Sequence, residues 1–288
     1  MQDQKVVLIT GCSSGFGYFS ALKFARNGFS TFASMRDVES AGAKELWEIK
    51  SKENLPLEII KMDVRDETSV KECVDTVLKK ADRIDVLVNN AGLGYLGPVE
   101  AFTVDEVKAQ YETNVFGVLR VISAVTPVMR RQCSGHIINI SSVAGFITLP
   151  LNGVYSSTKF ALESLTEALR FELSHFGIKV SLVEPGSFNT SFWVNKRYPK
   201  SLDDPSSPYQ GFNKSAFNKL RKAEGRFKSG FTARFFNPKS VVDEIYKIAN
   251  QKNPSLRHPV GIDAYAIIPR KLLPQRVWEW LLHKVYNW

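Results

Sequence analysis

The stretch Thr10-Gly11-Cys12-Ser13-Ser14-Gly15-Phe16-Gly17 closes an apolar run, Val6 to Ile9, and leads straight into a segment of helical periodicity. A strand that ends in a glycine-rich bend and passes at once into a helix is built like a phosphate site. Glycine allows the tight bend and lets backbone N–H groups approach a pyrophosphate, whose charge the positive end of the helix dipole stabilises. The spacing is G-x3-G-x-G, not the G-x-G-x-x-G of other dinucleotide folds. Such a bend alone can also be a plain connection, so its meaning depends on the rest of the chain.

Outward from the bend, apolar runs rich in β-branched residues recur at Val6 to Thr10, Ser30 to Ser34, Leu57 to Met62, Ile84 to Val88, His136 to Ile140 and Ile178 to Val183. Each reads as a strand. The segments between them have helical spacing, for example Val70, Val74 and Val77-Leu78, or Phe160-Ala161, Leu165, Ala168-Leu169 and Leu173. The strands are nearly continuous in apolar residues, as expected when helices cover both faces of a parallel sheet. The expected fold class is therefore α/β, a Rossmann-like doubly wound parallel sheet in three layers. Val241 to Ala249 adds one more helix and His258 to Gly261 a last short strand. No linker leads to an independent core, so residues 1–288 are expected to form one nucleotide-binding domain. Within it a lid spans about 187–235 and a C-terminal extension about 262–288.

Three further groups of residues carry chemistry. Tyr155-Ser156-Ser157-Thr158-Lys159 opens a helix, so Tyr155 and Lys159, four apart, share one face. A phenol is a poor acid-base group at neutral pH, and a neighbouring ammonium is expected to lower its pKa. Ser142, in Asn139-Ile140-Ser141-Ser142-Val143-Ala144-Gly145, sits at the carboxyl end of a strand, where ligands of parallel sheets bind. A hydroxyl there can hold a substrate oxygen. Asn89-Asn90-Ala91-Gly92 ends an earlier strand at the same edge, and Asn114 lies in the helical segment beyond it.

Together, the glycine bend, Asn-Asn-Ala-Gly, Asn114, Ser142, the Tyr155-x3-Lys159 pair and Pro185-Gly186 resemble the short-chain dehydrogenase/reductase family over roughly residues 5 to 190. The resemblance is nearest to branches acting on steroids and retinoids. It implies an oxidoreductase that moves a hydride between a nicotinamide dinucleotide and an alcohol or carbonyl carbon. Tyr155 would be the general acid-base, Ser142 the substrate-orienting hydroxyl, Lys159 the ligand of the nicotinamide ribose and Asn114 the holder of a proton-relay water. The cofactor would lie against Gly11, Ser13, Ser14, Gly15, Phe16, Gly17, Arg36, Asp63, Val64, Asn90, Ala91, Gly92, Tyr155, Lys159, Pro185, Gly186 and Thr190. Within that set Asp63 and Val64 would meet the adenine, and Thr190 the carboxamide. The family also implies a homodimer or homotetramer formed through helices.

An acidic side chain after the second strand usually grips the ribose diol of NAD, and a basic one there accepts the phosphate of NADP. Here Met35 stands at the acidic position and Arg36 follows, which favours NADP(H) over NAD(H). Asp37 points the other way, since a count of about twenty residues from the bend also reaches it. Arg36 and Asp37 can equally be a surface ion pair. The segment after Gly186 holds Phe188, Phe192, Trp193, Tyr198, Tyr209, Phe212, Phe217, Phe227 and Phe231. That density suits either an apolar substrate cavity or simple packing of a lid. The substrate is expected to be a small apolar, lipid-like carbonyl or alcohol meeting Ser142, Val143, Tyr155, Phe188 and Phe192. Two other readings remain, an NAD-linked alcohol dehydrogenase and a dinucleotide-sensing regulator without turnover, although such sensors often lose the tyrosine or lysine.

Composition sets the bounds. Hydrophobic residues make up 44% and charged residues 23%, close to the globular average, so a sizeable core is available. Residues 1–192 carry 20 Lys+Arg against 22 Asp+Glu and residues 193–288 carry 18 against 7, so the net +9 is C-terminal. A solvated basic face accounts for it, and no nucleic-acid partner is expected. Cys12, Cys73 and Cys133 are too few and scattered for a disulfide framework and are expected to be buried or neutral thiols; the four histidines lack zinc-site spacing, so no metal is expected. The opening residues lack a secretory pattern and no apolar run approaches twenty residues, so a cytoplasmic protein is expected. Leu273, Val277, Trp278, Leu281, Leu282, Val285 and Trp288 recur at helical spacing. Such a tail can touch a membrane surface, but docking on protein is the commoner use of an amphipathic face.

Overall fold

The structure is a computed structural model that describes residues 4–190, 195–209, 237–267 and 273–286. Seven strands form one parallel sheet in the order β3-β2-β1-β4-β5-β6-β7. They are β1 Val6–Ile9, β2 Ser30–Met35, β3 Leu57–Lys61, β4 Val86–Asn89, β5 Gly135–Ile140, β6 Ile178–Pro185 and β7 Arg257–Val260. Every strand reading is met, with ends displaced by a residue or two. The order reverses between β1 and β4, and this switch point opens a crevice at the carboxyl ends of the strands.

Helices α1 Gly15–Arg26, α2 Ala41–Glu53, α3 Glu67–Ala81, α4 Val104–Tyr111, α5 Gly117–Arg131, α6 Gly153–Ser174 and α7 Lys239–Asn250 connect the strands. Two short C-terminal helices follow, α8 Ile262–Ile267 and α9 Gln275–Tyr286. Successive strand side chains point to opposite faces. Val7 and Ile9 of β1 therefore join α1 and α7 in one core, where Phe24, Val241 and Ile245 are buried. Val6 and Leu8 join the other core with Val74, Val121 and Ile122 from α3 and α5. Because both faces are covered, β1 is buried along its whole length, which explains the unbroken apolar run.

Between α4 and α5 the chain widens into a single π-helical turn, Glu112–Phe116, which contains Asn114. Most of the aromatic-rich lid stretch lies outside the described residues, including Phe192, Trp193, Phe212, Phe217, Phe227 and Phe231. Cys12 and Cys73 are buried, with their thiol pKa values pushed up by burial, and Cys133 is exposed. Cys133 stands in the turn after α5, outside either core, with a φ of 51°. In α9, Val277 and Trp280 are exposed while Trp278, Leu281 and Leu282 are half-buried. No helix among the described residues is long and apolar enough to cross a membrane.

Candidate active site

A cavity of about 780 Å³ runs along the crevice, within the range of cofactor and ligand sites. Its floor begins at the glycine bend. Gly11 and Gly15 have φ of 72° and 60°, a region that residues with a Cβ rarely enter. A Cβ on Gly11 would stand 2.8 Å from the Cα of Ala91. Ser14 precedes α1 in an extended conformation and its hydroxyl does not cap the helix, whose first-turn residues Gly15 and Phe16 line the cavity. Gly11, Ser13, Ser14, Gly15 and Phe16 line the cavity; Gly17 does not. Gly17 is required for packing instead, because a Cβ there would lie 2.5 Å from Asn90 Nδ2 and from the Gly11 carbonyl oxygen.

Asn90, Ala91 and Gly92 form the adjoining wall. Asn90 Nδ2 donates to the carbonyls of Thr10 at 2.9 Å and Gly11 at 3.0 Å, while Thr10 Oγ1 accepts from the N–H groups of Asn90 and Ala91. The Asn-Asn-Ala-Gly stretch thus braces the bend. Thr190 reaches over it, with its Cβ 3.7 Å from where a Cβ on Gly15 would be.

At one end of the cavity Arg36, Asp63, Val64 and Arg65 meet. Arg65 holds the Asp63 carboxylate in a fork, with Nη2 to Oδ2 at 2.6 Å and Nε to Oδ1 at 3.0 Å. This hydrogen bonding keeps the Asp63 pKa below its ordinary value, with a smaller contribution from the charge of Arg36. Asp37 does not line the cavity; its Oδ1 accepts from the Glu39 N–H at 2.9 Å in a local turn. No ion pair joins Arg36 to Asp37 among the described residues, contrary to the surface-pair alternative. Met35 is buried.

Ser142, Val143, Tyr155 and Lys159 face the other end, with Pro185, Gly186 and Phe188 close by. The Ser142 hydroxyl hydrogen-bonds the Tyr155 phenol. Lys159 Nζ donates to the Ile140 carbonyl at 2.9 Å and lies 5.8 Å from the centroid of the Tyr155 ring. The electrostatics correct the sequence expectation. Burial of the recessed phenol pushes the Tyr155 pKa up to about 12, and the influence that opposes this is the Ser142 hydrogen bond, not Lys159. Lys159 is itself pulled down to about 8 by burial, against the charge of Glu163. Spacing could not reveal this, because desolvation depends on everything packed around the two groups.

Asn114 is buried but is not on the cavity wall. Its Oδ1 accepts from the Leu93 N–H at 2.9 Å, and its Nδ2 donates to the Leu93 carbonyl at 2.9 Å and to Thr158 Oγ1 at 3.1 Å. It ties the Leu93 loop to α6. Phe188 is 3% exposed and packs edge-on against Phe16 at 5.8 Å, so its ring serves the core as well as the wall. Phe192 lies outside the described residues.

Asp263, at the start of α8, escaped the sequence reading. Its Oδ2 accepts from the Ser187 N–H at 2.5 Å, and a Cβ on Gly186 would fall 1.9 Å from its Oδ1. The carboxylate thereby locks the C-terminal segment onto the Pro185-Gly186 loop. Nothing local announces a contact across 76 residues. Arg197, which also lines the cavity, was missed for the same reason, and Arg65 was passed over although its partner Asp63 is only two residues away.

Residues 5–200 match the short chain dehydrogenase family. The chain belongs to the short-chain dehydrogenase/reductase family. The uncharacterized oxidoreductase YusZ of Bacillus subtilis is 37% identical over 98% of both chains. The 3-ketodihydrosphingosine reductase of Bacteroides thetaiotaomicron is 34% identical over 99% of both. Human 17-beta-hydroxysteroid dehydrogenase type 1 is 37% identical, over 88% of this chain and 76% of that protein. Among solved structures, a short-chain dehydrogenase from Streptomyces avermitilis superposes with a TM-score of 0.81 at 30% identity, covering 100% of this chain and 98% of that one. A Burkholderia phymatum member in complex with NAD has a TM-score of 0.77 at 25% identity, covering 97% and 96%. A metagenomic member in complex with NADP has 0.69 at 25% identity, covering 89% and 96%. This short-chain dehydrogenase is an oxidoreductase that acts on CH–OH groups with a nicotinamide dinucleotide. The bend fits that cofactor: Gly11, Ser13, Ser14, Gly15 and Phe16 line the cavity at the N-terminus of α1, where backbone N–H groups suit a diphosphate.

Proposed function

We propose that this dehydrogenase uses NADPH to reduce the carbonyl of an apolar, lipid-like molecule such as a steroid or retinoid, the reverse oxidation being open to the same residues. The observation that carries the cofactor choice is the contrast at the end of β2: Arg36 lines the cavity and Asp37 is engaged in a turn outside it. Arg65 adds a second guanidinium to the same wall. Because Arg65 is paired with Asp63, Arg36 is the cation offered to a ribose phosphate, while Asp37, the carboxylate that could grip the diol of NAD, stands outside the cavity. The bound cofactor supplies the hydride.

The chain's own part is binding, orientation and the proton. Ser142 holds the carbonyl oxygen, and the Tyr155 hydroxyl passes its proton to that oxygen as negative charge grows there. The phenolate left behind keeps the Ser142 hydrogen bond, and the Lys159 ammonium, 5.8 Å from the ring centroid, would hold the nicotinamide ribose. Asn114 positions this pair by anchoring Thr158 beside it. Support for an apolar substrate comes from Leu93, Leu96, Ile147 and Leu149 along the wall, and from relatives whose names specify a hydroxysteroid and 3-ketodihydrosphingosine.

The test is to measure affinity for NADPH and NADH in the wild type and in Arg36→Ala, then turnover on a panel of ketosteroid, retinal, sugar and 2-oxo-acid carbonyls. NADPH should be preferred, and the variant should lose about 10- to 100-fold of that preference, as expected for a charge-assisted hydrogen bond. A wild-type preference for NADH would defeat the cofactor reading, and preference for the sugar or oxo acid the substrate reading.

A further inference from the structure

We propose that Glu163 is a positioning residue for the reactive pair: held through Arg257 against Glu184, its buried carboxylate keeps the Lys159 ammonium charged from behind the cavity wall. This rests on the proposed roles of Tyr155 and Lys159. Glu163 stands four residues beyond Lys159 on α6, so the two share a face. Both are buried, at 5% and 6% exposure. Arg257 of β7 places Nη1 on Glu163 and, at 2.9 Å, on Glu184 of β6, while its Nη2 reaches the exposed Glu167 at 3.1 Å.

One oxygen of Glu163 is not consumed by that cluster. Its Oε1 is buried without a hydrogen-bond partner among the described residues, and so is the hydroxyl of Ser141. Both border one small space: a Cβ on Gly145 would stand 2.9 Å from Ser141 Oγ and 3.1 Å from Glu163 Oε1. Lys159 Nζ is bonded to the carbonyl of Ile140, the residue just before Ser141. A desolvated carboxylate oxygen with no donor is expensive unless a cation nearby offsets its charge. Lys159 is the cation on the same helix face, and the charge of Glu163 acts against the burial that pulls the lysine toward its neutral form.

Charge counting gives the sign. Glu163 and Glu184 share one guanidinium, so with both ionised the trio carries one net negative charge, and burial together with Glu163 pushes the pKa of Glu184 up. Removing the Glu163 charge leaves Glu184 and Arg257 neutral as a pair, and Lys159 loses the charge that opposes its desolvation. Around the cluster, Glu167 on α6 is 54% exposed and Arg170 is engaged with the carbonyls of Val180 and Pro254, while Tyr155, the titratable group beside Lys159, stays neutral below about pH 12. The Val143–Gly145 turn brings no charge.

A purely structural clamp between α6, β6 and β7 would leave the pH profile unchanged. The experiment monitors NADPH oxidation by the full chain, on the fastest carbonyl of the panel above, across the alkaline range. Activity should fall as Lys159 loses its proton. In Glu163→Gln that fall should come at a pH lower by about one unit. In Glu163→Asp, which keeps the charge but withdraws it, the shift should be smaller, and in Glu167→Gln it should be absent because an exposed carboxylate is screened. An unmoved limb in a folded, NADPH-binding Glu163→Gln protein overturns the proposal. If that variant does not fold, an unmoved limb in Glu163→Asp overturns it. Turnover retained in Tyr155→Phe would sink the underlying reading of the tyrosine, whereas its loss alongside an unmoved limb sinks only the role of Glu163.

Discussion

Tyr155 shows how far residue type and spacing reach. That a phenol and an ammonium would meet on one helix face is set by their separation of four. The protonation they adopt is not, because burial lifts the phenol to about 12 and lowers the amine to about 8. The free protein therefore holds its tyrosine protonated, the form that a reductase needs in order to give a proton away. Tyr155→Phe removes the proton and little else, so kcat should drop by about 10²- to 10⁴-fold, the usual worth of a general acid. NADPH affinity, read by quenching or calorimetry, should change by less than about threefold on the same reasoning, since the ring stays in place. Near-normal turnover would take the acid role away from Tyr155. Asp263 marks the other limit of residue-scale reading. A lone aspartate after Gly261 has no local signature, and its contact with Ser187 exists only because β6 and β7 lie side by side.

At the scale of elements, the passage from β1 through the bend to α1 was legible because its requirements are local. Glycine is needed where φ is positive and where backbone approaches backbone, and both conditions hold at Gly11. Gly11→Ala adds a Cβ 2.8 Å from the Ala91 Cα and forces an L-residue into the left-handed region. It should cost about 1–3 kcal/mol of stability, measurable by denaturant unfolding. NADPH affinity should fall more steeply than that loss explains, because the displaced Ala91 belongs to the cavity wall. A variant that binds NADPH as well as the wild type would show that the bend is only a connection. The π-helical turn at Glu112–Phe116 was not legible, since its wider hydrogen-bonding pattern leaves no mark in the apolar period. It is what turns Asn114 inward onto Leu93 and Thr158.

For the molecule as a whole, the parallel sheet brings strand ends from residues 9 to 185 to one edge, and the C-terminal segment returns to close it through Asp263. Beyond that closure α9 leaves Val277 and Trp280 exposed beside Lys284, whose Nζ lies 4.2 Å from the Trp280 ring centroid. Flotation with anionic vesicles, using the full chain and a form ending at residue 272, tests what this face meets. Docking on protein predicts no flotation of either form. Flotation of the full chain alone would establish a membrane surface as its target.

The succession of strands and helices, the glycine bend and the Tyr155–Lys159 pairing could be read from the chain because each depends on neighbours within a few residues: period, φ and helical spacing. Arg36 rather than Asp37 on the cavity wall and the Glu163–Arg257–Glu184 cluster could not. Those contacts join residues whose separation along the chain says nothing about distance, and their protonation is governed by solvent that distant segments exclude. Short-range geometry is written in the residues themselves, while charge and desolvation are settled only once the sheet and its helices have closed.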